Sequence, residues 1–458
     1  MVTGNFGAMK EERLAARVHS GEWPLVILMF AYFFSVITTF WILKPLKKGL
    51  FVAYYQTSGQ SFDVFGWQLS GPQAELVAKI GNMLVVFVAA VVFAWLARRL
   101  RRQQLTYVFG AFCLCGFLFF RILLPEAGEL TAWSFYIFGD LYNSLMVATF
   151  FAFLNDSYSP LEARRLYGPI ILGGVTGGMV GSVFVRAEIE RYQSSTWMMI
   201  CAAVTVVIVV VAALAGRLVT QKCRSRHVED PAVVPQPARG SAALEGLRLV
   251  LRSRYLLAIV SLVGLYELVS TVLDYQFTAT VVHYVVGDPT KHISTVYAIT
   301  NTVALVVQLF LTANIMSRFG VKVALLVMPA LIMGVSGFFI LLPLLWFGSA
   351  LNVVDNGFNY SLNQSARESL YTPLGRDEKY KAKAFIDMFL YRAAKVVGVC
   401  LALALGACFE EFTAVRWLSV ATIALAFLWF KVARYAGSEF ATLSRGREGC
   451  EDSPLVDS

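Results

Sequence analysis

The chain has 458 residues, of which 57% are hydrophobic and 15% charged, and its net charge is +9. Its mean hydropathy of +0.63 excludes a soluble globular protein, because surface-to-volume scaling would leave too much apolar side chain in water. The apolar residues fall in continuous runs of about 20, the length that crosses roughly 30 Å of hydrocarbon, which also excludes the alternating segments of a membrane β-barrel. The positive charge reads as the Lys and Arg excess of cytoplasmic loops, so no nucleic-acid partner is expected and the lipid bilayer is.

In chain order, the first segment, MVTGNFGAMKEERLAARVHS, is charged and lacks an apolar core ahead of a cleavage site, so it reads as neither signal nor transit peptide. Twelve spans follow. Six lie at Trp23–Leu43, Ala74–Ala97, Leu105–Leu124, Trp133–Leu154, Leu166–Val185 and Trp197–Leu218. Six more lie at Tyr255–Val281, His292–Met316, Val321–Leu341, Leu345–Ser365, Ala384–Leu405 and Phe412–Lys431. The predicted fold is all-α and integral to the membrane. It divides into a six-helix half over 1–218, a cytoplasmic linker with an interfacial helix over 219–254, a second six-helix half over 255–436 and a tail over 437–458.

The linker contains QKCRSRHVEDPAVVPQPARGSAALEG, polar and Pro-bearing, followed by the basic amphipathic stretch GLRLVLRSRY, which reads as lying on the membrane surface. The basic residues concentrate in ARRLRR after the second span, in Arg164 and Arg165, in the linker and in the Arg376–Lys383 run. The positive-inside rule then places both termini in the cytoplasm of a cell (inner) membrane. The fourth span ends in Leu154-Asn155-Asp156-Ser157 and the tenth in Leu362-Asn363-Gln364-Ser365, each after an intramembrane aspartate, Asp140 and Asp355. That match fits two halves repeated about an axis along the membrane normal.

Charged residues inside the spans need a reason, since each costs about 2.5–3.5 kcal/mol even on the mildest insertion scale. They are Glu75 and Lys79, in a polar stripe with Asn82, in span two, Arg121 in span three, Asp140, with the polar Asn143, in span four, and Glu267 and Asp274 in span seven. Span ten adds Asp355, Asn359 and Asn363; span eleven adds Asp387, Arg392 and Lys395. Helical spacing sets Asp387, Tyr391 and Lys395 on one face, and Glu267 two turns from Asp274. Such residues either line a wet cavity or pair with one another to hold the bundle. Directly after span one, Lys44, Lys47 and Lys48 fall on the outer side, where few cations are expected; they either snorkel to the interface or attract an anion.

The glycines of span five (Gly168, Gly173, Gly174, Gly177, Gly178 and Gly181) read as close helix packing. No strand precedes them and no Gly-Lys-Ser/Thr follows, as a nucleotide loop would require. The seven cysteines (Cys113, Cys115, Cys201, Cys223, Cys400, Cys408 and Cys450) form no paired Cys-x-x-Cys motif. The four histidines are dispersed, and no metal, cofactor or enzyme signature stands out.

Several segments resemble the ATP/ADP translocase family of plastids and intracellular bacteria. The stretch Arg367–Ala404 carries its pattern in Tyr371, Pro373 and Leu374, then Lys381, Lys383, Ala384, Ile386, Asp387 and Lys395. Ile42–Val52 is similar to the basic segment that ends the family's first span, with Lys47 on a substrate-binding lysine. Gly139-Asp140-Leu141-Tyr142 and Asp274, eight residues after Tyr266, stand where the family has glutamates.

The resemblance implies a major-facilitator type of fold and secondary transport of an organic anion, a nucleotide such as ATP or ADP or another phosphorylated metabolite. Lys44, Lys47, Arg392 and Lys395 would meet its phosphates, with Asn143 beside them. Asp140 and Asp274 would exchange ion pairs as access alternates, and Phe34, Phe40 or Tyr391 would stack on a base. Two other readings stay open. In a proton-coupled transporter of an unrelated solute, Glu267, Asp274 or Asp387 would be the proton site. A membrane scaffold or receptor would have no use for so many midplane charges.

Overall fold

The computed structural model describes residues 22–58, 61–64, 67–225, 248–250, 252–374, 390–407 and 412–451, with residues 378, 382, 383 and 386 singly between them. Its helices are α1 (Trp23–Ser58), α2 (Gly71–Arg99), α3 (Arg102–Leu123), α4 (Glu129–Ser157), α5 (Pro160–Glu188) and α6 (Ser194–Ser225). After the linker come α7 (Arg254–Tyr284), α8 (Thr290–Val306), α9 (Ala313–Leu341), α10 (Leu345–Phe358), α11 (Gln364–Ser369), α12 (Tyr391–Ala407), α13 (Phe412–Val415) and α14 (Leu418–Glu451). A short antiparallel hairpin, β1 (Phe62–Val64) with β2 (Trp67–Leu69), joins α1 to α2.

Local chemistry sets several of these ends. Ser159 accepts from the Glu162 amide while Glu162 returns to the Ser159 amide, and Pro160 opens α5 where its missing N–H costs nothing. Ser253 caps α7 through the Leu256 amide. Within α9, Gly320 sits at φ 78° and ψ 171°, a left-handed conformation that suits a residue without Cβ. The break falls between the eighth and ninth sequence-predicted spans.

Among the described residues, nine helical stretches are long and apolar enough to cross a membrane, and one of them, Thr290–Leu341, has 52 residues. Gly320 divides that stretch into two crossings. The helical run over 345–369 and helix α12 complete the twelve spans, so the all-α membrane architecture expected from the sequence is observed, with a short hairpin added among the described residues.

The chain forms two compact units: Met1–Tyr54 with Gly81–Ala232, and Tyr55–Ile80 with Val233–Ser458. The sequence-predicted halves differ from these over residues 55–80, for identifiable reasons. The Gln56 side-chain amide donates to the carbonyls of Val282 and Val285 at 3.2 and 2.8 Å. Leu76 packs in one apolar cluster with Val272, Tyr275, Val399, Ala402 and Leu418.

In the N-terminal unit, the span-five glycines act as packing residues. Added Cβ atoms at Gly173, Gly177 and Gly181 of α5 would lie 2.5–2.6 Å from the carbonyl oxygens of Phe30, Phe34 and Thr38 on α1. Only a side chain of a single hydrogen lets the two backbones come that close. Phe33 stacks on Phe150 with ring centroids 4.3 Å apart, extending the apolar core from α1 into α4.

In the C-terminal unit, two π-helical segments, Val307–Thr312 after α8 and Asn359–Asn363 after α10, pack against each other. The repeated Leu-Asn-x-Ser motif therefore has two backbones. It closes a regular α-helix at Ser157 but runs through a π segment at Asn363.

Candidate substrate site: charges held inside each unit

Helix α1 continues through Ser58 with Pro45 inside it, so Lys44, Lys47 and Lys48 do not follow the first span, as read from the sequence, but lie within its helix. Lys47 and Lys48 are 5% and 3% exposed. The run continues because the residues beyond Pro45 have apolar partners. Phe51 packs on Trp133 and Tyr136 of α4 with centroids 5.3 and 5.0 Å apart.

In the N-terminal unit, the Lys47 ammonium forms an ion pair with the Asp140 carboxylate of α4 and lies 4.4 Å from the centre of the Tyr136 ring. Asn82 of α2 donates to the other Asp140 oxygen at 2.8 Å. Gly139 makes room for this: a Cβ there would lie 2.7 Å from Lys47 Cδ. Lys44, one turn earlier, sits 4.4 Å over the Trp41 ring, a cation–π contact. Asn143, one turn beyond Asp140, is half-buried.

In the C-terminal unit, Asp274 of α7 is held by Lys79 of α2 and by the Asn352 side-chain amide at 3.5 Å. Lys79 also lies 3.7 Å from Glu75, one turn back. The Thr278 hydroxyl donates to Glu75 at 3.0 Å, so Lys79 is shared between two carboxylates that each also accept a side-chain hydrogen bond. Ser270 donates to Asp355 at 2.7 Å.

A second cluster surrounds Glu267, which is 4% exposed. Lys395 and Arg367 attract its charge, and the Tyr391 hydroxyl hydrogen-bonds its carboxylate. Arg367 also lies 5.3 Å over the Tyr266 ring. Arg392 is half-buried on the same helix as Lys395. The described residues contain no group of His, Cys, Asp and Glu able to hold a metal ion.

Residues 126–440 match the family described as TLC ATP/ADP transporter. The chain belongs to that family. An ADP,ATP carrier protein 1 of Chlamydia muridarum is 23% identical, with 94% of this chain and 91% of the relative aligned. An ADP,ATP carrier protein 3 of Rickettsia prowazekii is 22% identical over 58% of this chain and 62% of its own length. Among solved structures, the nucleoside transporter NupG superposes with a TM-score of 0.60 at 13% identity, covering 90% of this chain and 99% of its own. A bacterial homologue of the iron transporter ferroportin gives 0.62 at 9% identity, over 90% and 98%. At such identities the structures report the fold, which is that of major-facilitator-type secondary transporters.

Against the sequence-based site of this TLC-family transporter, the structure joins Lys47 to Asp140 but gives Asp274 to Lys79. Among the described residues, Lys395 attracts the charge of Glu267. Asp387 lies outside the described residues. Arg121 is exposed in the last turn of α3 and joins none of these clusters. Sequence reasoning did not place Lys79, Asn82, Tyr136 or Arg367 in the site. The first two were visible as a polar stripe with Glu75, and Tyr136 stands one helical turn before Asp140; neither signal identifies its partner.

Proposed function

We propose that this TLC-family transporter carries a nucleotide of the ADP/ATP type across a cell (inner) membrane by alternating access, with both termini cytoplasmic. The observation that carries the reading is the buried Lys47–Asp140 pair. A buried ion pair stabilises a fold little better than apolar side chains of the same volume, and intramembrane charges mark transport pathways by default. Asp140 neutralises Lys47 while the site is empty. A phosphate offers the same charge-assisted hydrogen bonds, so it replaces Asp140 at the ammonium with little net desolvation.

Within the C-terminal unit, Lys395 serves as a phosphate cation. Its mid-helix place among Ala393, Ala394, Val396 and Val397 gives lipid no means of neutralising it. Lys44 and Arg392 add positive charge nearby in sequence, and Asp274 takes part in the ion-pair exchange by releasing Lys79. The relatives named ADP,ATP carrier support the nucleotide as cargo.

A thermal-shift screen of purified protein against nucleotides, sugar phosphates and carboxylates tests this reading. Nucleoside di- or triphosphates are expected to raise the melting temperature, and Lys395→Gln to abolish that rise while leaving the empty protein's melting nearly unchanged. Stabilisation by carboxylates alone would overturn it.

A further inference from the structure

We infer that Glu267 is a specificity-determining residue that selects nucleotides whose base carries an exocyclic amino group. The inference rests on the nucleotide reading above and adds what the base end of the ligand must offer.

Glu267 is 4% exposed, and its Oε1 has no hydrogen-bond partner among the described residues. Lys395 and Arg367 attract the carboxylate, yet no described residue closes an ion pair with it. The Tyr391 hydroxyl donates to the group, which leaves Oε1 as a desolvated acceptor waiting for a donor. A buried polar atom in that condition is costly, and it persists at sites where a ligand completes it.

The surroundings define that ligand. Lys395 lies one turn beyond Tyr391 on α12 and Arg367 lies on α11, so cations and a carboxylate share one cluster within the C-terminal unit. A wholly anionic solute would be drawn by the cations and repelled by Glu267. A solute with phosphates at one end and N–H donors at the other satisfies both. Tyr391 is 41% exposed, and its ring offers a flat base a stacking face next to the cluster that holds Glu267. Adenine, guanine and cytosine present an amino group there; hypoxanthine and uracil offer only a ring N–H, set beside carbonyl oxygens that repel the carboxylate.

The test is equilibrium binding of labelled nucleoside diphosphates to the purified full-length chain. GDP and IDP differ only in the 2-amino group, and CDP and UDP differ at position 4 of the base. The amino member of each pair is expected to bind roughly tenfold tighter, the effect of one buried acceptor left unpaired. In Glu267→Gln, Tyr391 holds the amide oxygen and the Nε2 amino group faces the ligand, so the preference is lost or reversed. The wild-type comparison can overturn the inference even if that variant fails to fold. Equal affinity within both pairs would overturn the inference and leave the nucleotide reading intact. So would a preference that survives in Glu267→Gln. Failure of every nucleoside diphosphate to bind would overturn both.

Discussion

Lys47→Met is expected to abolish transport and to destabilise the empty protein by about 3 kcal/mol, the lower end for breaking a buried pair by removing one partner. The lower end applies because the Asp140 side chain keeps 26% exposure and retains the Asn82 hydrogen bond. The thermal midpoint in detergent reads the stability, and uptake into proteoliposomes reads transport. Replacing both partners, as Lys47→Met with Asp140→Leu, removes the uncompensated charge and should restore most of the stability. It should restore no transport. A purely structural pair would behave differently, because recovery of the fold would then bring uptake back.

The second large effect is an asymmetry around Lys79. This ammonium is bonded by Asp274 and lies 3.7 Å from Glu75. Lys79→Met therefore takes this cation away from two carboxylates of the C-terminal unit and is expected to cost about 3–5 kcal/mol. Asp274→Asn leaves Lys79 with Glu75 and keeps a polar atom for Asn352, so about 1–2 kcal/mol is expected. Thermal or denaturant unfolding of the two variants side by side checks the order. Equal losses would mean that Glu75 does not share the lysine.

These partnerships explain how much of the site could be read from the sequence. The spans were legible because a bilayer demands a continuous apolar run, which has no other common cause in a chain this hydrophobic. The break at Gly320 showed as a short polar interruption ending in glycine. The end of the first span did not show, because Lys44-Pro45-Leu46-Lys47-Lys48 lowers the local hydropathy as a loop would. The facing Asp140 and Tyr136 of α4 reveal Lys47 as helical and buried.

Pairing was the least legible feature. Lys79 and Asp274 stand 195 residues apart in the chain, and nothing local distinguishes Lys79 from Lys47 as the partner of Asp274. Glu267 was visible as an unexplained intramembrane acid, yet its contact with Tyr391 depends on how α7 and α12 pack. The two π segments left no trace, since a single extra residue per turn does not disturb an apolar run.

Counter-exchange tests the central claim most directly. Proteoliposomes holding the wild-type chain and loaded with unlabelled ADP should accumulate labelled ADP from outside. Lys47→Gln and Lys395→Gln should each lose that accumulation, and their combination should lose little more, because either loss alone already stops exchange. Wild-type rates of ADP exchange in the double variant would contradict the account.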